Sequence, residues 1–325
     1  MGTSRDNGFT RLGEDHPLVD KLLTEAWWQE IVEISHADPD INIQLRSNSI
    51  NIYSKMGNLL RISLQKNKVC CEIHYKYLIA DKKSPYVSIA LSDGRLLMVN
   101  NNECPNIQDV LKNFRTIKQN IAVYAGEEKT IQSRLVEKNK ETIIDVEVAF
   151  SGKTGPDGDG SDNARIDLVN FDKNLRKIIF VELKQAFDSR LYNGEINKQI
   201  EKYYDFALKH EGQIINAYQN AINTKKKLGI IKDTSFLANA RVAAIEPRPL
   251  LVIAGYNQKV IDSLKCTIGK NIDPAKKAKH LAGLYFFGSD TDLNLQKKKK
   301  TRKYLHERRH FASSLQSPYG ENNIS

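Results

Sequence analysis

Two short runs constrain this chain more than anything else in it: Arg165-Ile166-Asp167-Leu168-Val169 and Ile178-Ile179-Phe180-Val181-Glu182-Leu183-Lys184. Both are rich in β-branched and aromatic residues and read as strands. Apolar strands normally exclude Asp, Glu and Lys, because a lone charge among apolar neighbours is costly. Glu182 and Lys184 are two residues apart, so a strand puts both on one face. If the two strands pair, Asp167 can join them, and two carboxylates then meet an ammonium. The alternative is a solvated pair on an exposed sheet face with Asp167 as its neighbour. The apolar run around Glu182 argues for a central strand instead.

The surrounding pattern sets the fold class. Residues 1–14 are polar, with Gly2, Gly8 and Gly13, and are expected to be disordered. Asp15 offers an N-cap and Pro17 a first helical residue. Leu18, Leu22, Trp27, Ile31 and Ile34 follow at helical spacing. Trp27-Trp28 reads as core packing by at least one ring rather than as a ligand cage. Short alternating segments between Ile41 and Val99 predict a meander of antiparallel strands. His74, near Lys76, reads as a structural or surface histidine. A helix is expected over 106–124.

From Ala125-Gly126 the pattern changes. A helix beginning at Glu127-Glu128 precedes a strand over 142–150, and the two charged strands follow. Helices over 196–209 and 212–228 lead to strands over 241–245, 250–254 and 281–287. The Gly155–Asp162 segment superficially resembles a calcium loop. Counted from Asp157, however, its sixth and twelfth places hold Asp162 and Leu168 where Gly and Glu are needed. It reads as a β–β connection. The expected fold is therefore α/β (α+β overall): a C-terminal mixed sheet flanked by helices, with an N-terminal β-rich domain bracketed by helices. The expected divisions are 1–14, 15–124, 125–290 and a basic tail over 291–325.

Composition narrows the partners. A hydrophobic fraction of 40% and a charged fraction of 27% suit a soluble globular protein. No apolar run reaches membrane-spanning length, and no signal-peptide core is visible, so a cytoplasmic location is expected. The four cysteines contain no Cys-x-x-Cys, and adjacent Cys70 and Cys71 point to opposite faces of a strand, which argues against a zinc site or disulfide framework. The formal net charge of +10 favours an anionic partner without naming it. Eight of the residues Lys297–Arg309 are Lys or Arg. Lys297, Lys298, Lys299, Lys300, Arg302 and Lys303 are candidate phosphate contacts, and a solvated charge run is the competing reading.

The order helix, strand, Asp strand, Glu-x-Lys strand, helix resembles the core of the PD-(D/E)XK nuclease superfamily over about residues 126–290. Asp167 matches the motif's aspartate, Glu182 its acidic residue and Lys184 its lysine, while Ile166 stands where the motif's name has proline. Glu128-x-x-Ile131-x-x-x-Leu135 is similar to the acidic first helix of NucS-type endonucleases and Shedu-type defence nucleases. Gln199-Ile200-Glu201-Lys202-Tyr203 is similar to their Gln-x-x-x-Tyr helix. The N-terminal domain over 15–124 lies outside the resemblance and is expected to fold separately and to recognise substrate or regulate cleavage.

The resemblance implies a restriction-endonuclease-like core and a Mg²⁺-dependent nuclease, with Mn²⁺ as a substitute. DNA is the expected substrate, and defence or repair the expected setting. Asp167, Glu182 and the Leu183 carbonyl would supply hard oxygen ligands. Lys184 would orient or help deprotonate a water and stabilise charge on the phosphoryl group. Glu128 would hold a second metal or a metal-bound water; Glu127, Asp145 and Glu147 are its rivals. Gln199 and Tyr203 would position the phosphate or the lysine, with helix-surface or core roles as the alternative. Two cuts on a duplex would favour a homodimer. A non-catalytic nucleic-acid-binding protein and a partner-activated subunit of a defence complex are the other readings.

Overall fold

A computed structural model describes residues 9–78, 86–89, 97–99, 102–104, 106–150, 164–256, 271, 280–288 and 295. The chain opens with α1 (Pro17–Leu23) and α2 (Ala26–Ala37), then β1 (Ile41–Leu45), β2 (Ser49–Ser54), β3 (Gly57–Gln65) and β4 (Lys68–His74). A single turn, α3 (Tyr75–Leu78), precedes β5 (Tyr86–Ile89), β6 (Leu97–Val99) and β7 (Asn102–Cys104). Helices α4 (Ile107–Lys112), α5 (Phe114–Tyr124) and α6 (Glu127–Lys138) lead into β8 (Ile143–Phe150), β9 (Ala164–Asp172) and β10 (Lys177–Gln185). Then come α7 (Arg190–Asn193), α8 (Glu195–Lys209), α9 (Glu211–Lys227), β11 (Ala244–Tyr256) and β12 (Gly283–Gly288). The architecture is mixed α and β. Two five-stranded sheets run in the orders β1-β2-β3-β4-β5 and β12-β11-β10-β9-β8, beside a β6-β7 ribbon.

The first sheet is the expected antiparallel meander. The second is mixed: β10 pairs antiparallel with β9 and parallel with β11. Strand β10 is buried from Ile178 to Lys184, as a central strand covered on both faces must be. Ile179, Val181 and Leu183 pack with Leu135 and Val136 of α6. The opposite face carries Ile178, Phe180, Glu182 and Lys184. There Ile178 and Phe180 share a core with Tyr203 and Ala207 of α8.

Several boundaries depart from the sequence reading. The first helix breaks at Thr24-Glu25, and His16 rather than Asp15 caps it, its Nδ1 accepting from the Leu18 N–H at 3.1 Å. The helix over 106–124 breaks at Asn113. The strands expected at 241–245 and 250–254 form the single strand β11, and its pairing jumps from Ile179↔Glu246 to Val181↔Leu250. Pro247 and Pro249 lie inside that jump, where the ladder makes no demand on their missing N–H groups. Both Trp27 and Trp28 are buried.

A larger correction concerns residues 9–14, expected to be disordered. Phe9 and Leu12 are buried, and Arg11 reaches Asp145 of β8, its Nε and Nη2 donating to Oδ2 at 2.9 and 2.8 Å. Arg46 donates to Asp145 Oδ1 at 2.7 Å and to the Val146 carbonyl at 2.7 Å. The Tyr218 hydroxyl of α9 donates to Oδ2 at 3.2 Å. Apolar residues from both sides of Ala125-Gly126, among them Trp28, Ile43, Ile144, Phe171 and Tyr218, form one continuous cluster. The change of pattern at Ala125-Gly126 is therefore not a boundary between two cores.

Burial alone would raise the Asp145 pKa, but Arg46, Arg11 and Lys225 outweigh it and hold the group at about 2. The stability it contributes is fully present above the ordinary value of 3.8 and is lost as pH falls through about 2. Asp145→Asn leaves the largely buried guanidiniums of Arg11 and Arg46 without a charged partner. It should lower unfolding free energy at pH 7 by about 3–5 kcal/mol, read from urea denaturation. A loss under about 1 kcal/mol would show that the pairs are solvated in solution.

Candidate active site

The β9–β10 ladder runs in register from Lys177↔Asp172 to Val181↔Leu168. Beyond that pair the N–H of Leu183 goes to a side chain, the Asp167 carboxylate, at 2.8 Å. An aspartate thus satisfies a donor that a partner strand would otherwise take. A cleft of about 550 Å³ lies at this point, lined by Glu128, Lys129, Gln132, Glu147, Arg165, Asp167, Glu182, Lys184, Arg190, Lys198, Gln199, Lys202 and Tyr203. Every one of these side chains is polar.

Glu182 and Lys184 are almost wholly buried, at 1% and 2% exposure. The Lys184 ammonium contacts Glu182 Oε1 and donates to the Leu183 carbonyl at 3.1 Å. Gly194, with φ +82, turns the chain from α7 into α8, a conformation that favours glycine. Gln199, one turn into α8, donates from Nε2 to Glu182 Oε1 and to the Tyr203 hydroxyl, both at 2.6 Å. Tyr203 in turn donates to the Arg165 carbonyl. Gln199 and Tyr203 therefore brace the carboxylate and tie α8 to β9. Glu182 Oε2 is buried without a hydrogen-bond partner among the described residues.

Burial raises the Glu182 pKa, the Asp167 carboxylate raises it further, and Lys184 pulls it back only in part, leaving it at about 8. Burial also raises Asp167, against the pull of Lys184 and the Leu183 N–H, and Glu128 adds to the rise. Burial and Glu182 push the Tyr203 phenol up, so it remains a donor.

Of the two acids that open α6, Glu127 and Glu128, only Glu128 lines the cleft. Glu147 also lines it, paired with Arg165. Its φ of +54 is unusual for a residue with a side chain. Asp145 points to the Arg11–Arg46 network instead. Among the described residues, no three His, Cys, Asp or Glu side chains converge closely enough to hold one ion. Glu128 therefore shares the cleft with Asp167 and Glu182 but does not complete a three-carboxylate cage with them. The donors chemically suited to a hard cation are Asp167, Glu182 and the Leu183 carbonyl, an all-oxygen set of the kind that Mg²⁺ prefers.

Sequence reasoning passed over Gln132, which is buried and donates to the Asp167 carbonyl at 3.2 Å. It also passed over Lys198, Lys202, Arg165 and Arg190 on the cleft wall. Gln132 lies four residues after Glu128, and Lys198 and Lys202 flank Gln199 and Tyr203 on α8, so helical spacing carried a signal for three of them. Lys297 to Lys300, Arg302, Lys303 and the 155–162 loop lie outside the described residues. The chain matches no family model, no curated protein and no solved structure.

The raised pKa of Glu182 has a measurable consequence. The folded site holds a proton that the unfolded chain releases near 4.5. Its contribution to stability is therefore greatest below that value and falls as pH rises toward about 8. In metal-free buffer, Glu182→Gln should flatten the pH dependence of the urea midpoint across that window. An unchanged slope would mean that the buried pair is fully ionised.

Proposed function

We propose that this protein is a Mg²⁺-dependent nuclease of the PD-(D/E)XK type, with DNA as its expected substrate. One observation carries the reading: a buried carboxylate, Glu182, a half-buried one, Asp167, and a buried ammonium converge where the β9–β10 ladder gives way to a polar cleft. A structural role would leave Glu182 paired on both oxygens, since an unsatisfied buried carboxylate oxygen is destabilising. The element order around the mixed sheet supports a restriction-endonuclease-like arrangement.

Asp167, Glu182 and the Leu183 carbonyl would hold the ion. When bound, Mg²⁺ supplies positive charge to the phosphate and acidifies water. Lys184 would donate to a phosphoryl oxygen or orient the attacking water once its hold on Glu182 relaxes. Gln199 fixes the Glu182 carboxylate, and Tyr203 fixes Gln199. Lys198, Lys202, Lys129 and Arg190 supply cationic contacts for flanking phosphates.

Asp167→Ala, Glu182→Ala and Lys184→Ala should each reduce Mg²⁺-dependent cleavage by about 10²-fold or more. The assay is a panel of single- and double-stranded DNA and RNA with Mg²⁺, Mn²⁺ or EDTA, and circular dichroism checks the fold. A variant cleaving at the wild-type rate would remove its residue from the site. Wild-type protein inert on the whole panel with both metals would leave the non-catalytic binding reading in its place.

The basic tail is tested separately. If Lys297–Lys300, Arg302 and Lys303 meet phosphates, deletion from Lys297 onward should flatten the plot of log affinity against log salt. The expected change is about 0.9 in slope for each duplex phosphate that the tail neutralises. An identical slope would assign the tail to solvent.

A further inference from the structure

A second cleft, of about 690 Å³, lies at the seam between the first sheet and the main sheet. Its walls come from the end of α2, strand β1, the start of β8, helix α9 and residues 230–237. That volume falls within the usual range for small-molecule sites. Its chemistry differs from that of the all-polar cleft at Asp167. Ile41, Ile143, Ile144, Ile231 and Phe236 give it an apolar lining, and Lys140, Lys173, Lys225 and Lys232 share it. Glu141 is the single carboxylate in that lining.

Lys225 and Lys140 donate to neutral groups, although the Asp145 charge also reaches Lys225. Lys225 is buried, and its Nζ donates to Gln44 Oε1 at 2.7 Å and to the Ile144 carbonyl at 2.8 Å. Lys140 donates to the Ser35 carbonyl at 2.9 Å. The Lys173 ammonium sits 5.7 Å from the centre of the Phe236 ring. The carboxylates just outside are engaged elsewhere: Asp38 pairs with Lys118, and Asp40 with Lys55 at 2.8 Å. Burial depresses the Lys140 pKa and the like charge of Lys232 lowers it further, against Asp38 and Asp40. Burial likewise brings Lys225 down to about 8. Four ammoniums among apolar walls, with Glu141 the single carboxylate in the lining, are the electrostatic complement of an anion.

We infer that this cleft binds a small organic phosphate with a flat apolar body, such as a nucleoside monophosphate. The phosphate would lie between Lys140 and Lys232, and the body would lie along Phe236 and the isoleucines. A phosphate suits several ammoniums better than a single carboxylate does, because it carries up to two charges and three acceptor oxygens. The inference is independent of cleavage at Asp167.

The test is isothermal titration of the full-length protein with AMP, adenosine, inorganic phosphate and octanoate. AMP should bind saturably and more tightly than the other three. Lys232→Ala removes an exposed side chain and should weaken AMP by about tenfold. Phe236→Leu should weaken AMP and adenosine together. Lys184→Ala, in the other cleft, should leave AMP affinity unchanged. The proposal is overturned if AMP fails to saturate, if inorganic phosphate or octanoate binds as tightly, if Lys232→Ala has no effect, or if Lys184→Ala abolishes binding.

Discussion

The fold depends on one buried carboxylate. Asp145 sits at 2% exposure on β8, the edge strand of the main sheet. Arg11 from the N-terminal segment and Arg46 from the loop after β1 converge on it, and Tyr218 reaches it from α9. Each of these groups would be costly to bury alone. Together they fix the N-terminal segment, the first sheet, the main sheet and α9 in one arrangement. The apolar cluster that runs through all four is the larger energy, but it is not directional. The ion pairs choose which residues of that cluster meet.

Set beside Asp145, Glu182 behaves differently. Both are buried carboxylates among apolar strand residues. Asp145 has both oxygens engaged, and its pKa lies below the ordinary value. Glu182 has one oxygen shared between Lys184 and Gln199, one without a partner among the described residues, and a pKa well above the ordinary value. The first pattern belongs to a structural clamp. The second is a site whose charge is incompletely compensated, and such sites concentrate where chemistry is done. The same comparison separates the rival acids: Asp145 has no lone pair to spare, whereas Glu128 and Glu147 face the cleft.

The charged strands were legible in the sequence because two charges two residues apart inside an apolar run break the strand rule together. The meander, the two long helices and the order of elements followed from periodicity alone. Phe9 and Leu12 carried no such signal. Single apolar residues in a polar, Gly-containing stretch have no period, and groups distant in sequence, the Asp145 carboxylate and the Phe206 and Tyr218 rings, hold the segment. Strand β11 differs in the opposite direction: two strands are expected there, and a jump in register across Pro247 and Pro249 joins them into one. The opening of the β9–β10 ladder was invisible as well, since it depends on which N–H the Asp167 side chain takes.

The two charge clusters are linked along β8. Arg46 holds both the Asp145 carboxylate and the Val146 carbonyl. The next residue is Glu147, with φ +54 and its side chain on the cleft wall. A non-glycine residue in that region costs about 1–2 kcal/mol and persists only where its surroundings over-determine it. On one side that constraint is Arg46, in the loop that joins β1 to β2 of the first sheet; on the other it is Arg165, which belongs to β9. The first sheet therefore fixes one wall of the cleft although it places no side chain in it. Removing residues 1–124 would strip Asp145 of both arginines, uncover Ile144, Phe171 and Tyr218, and remove the Arg46 hold on Val146 beside Glu147. The N-terminal part is thus better understood as half of the scaffold than as a detachable selector of substrate.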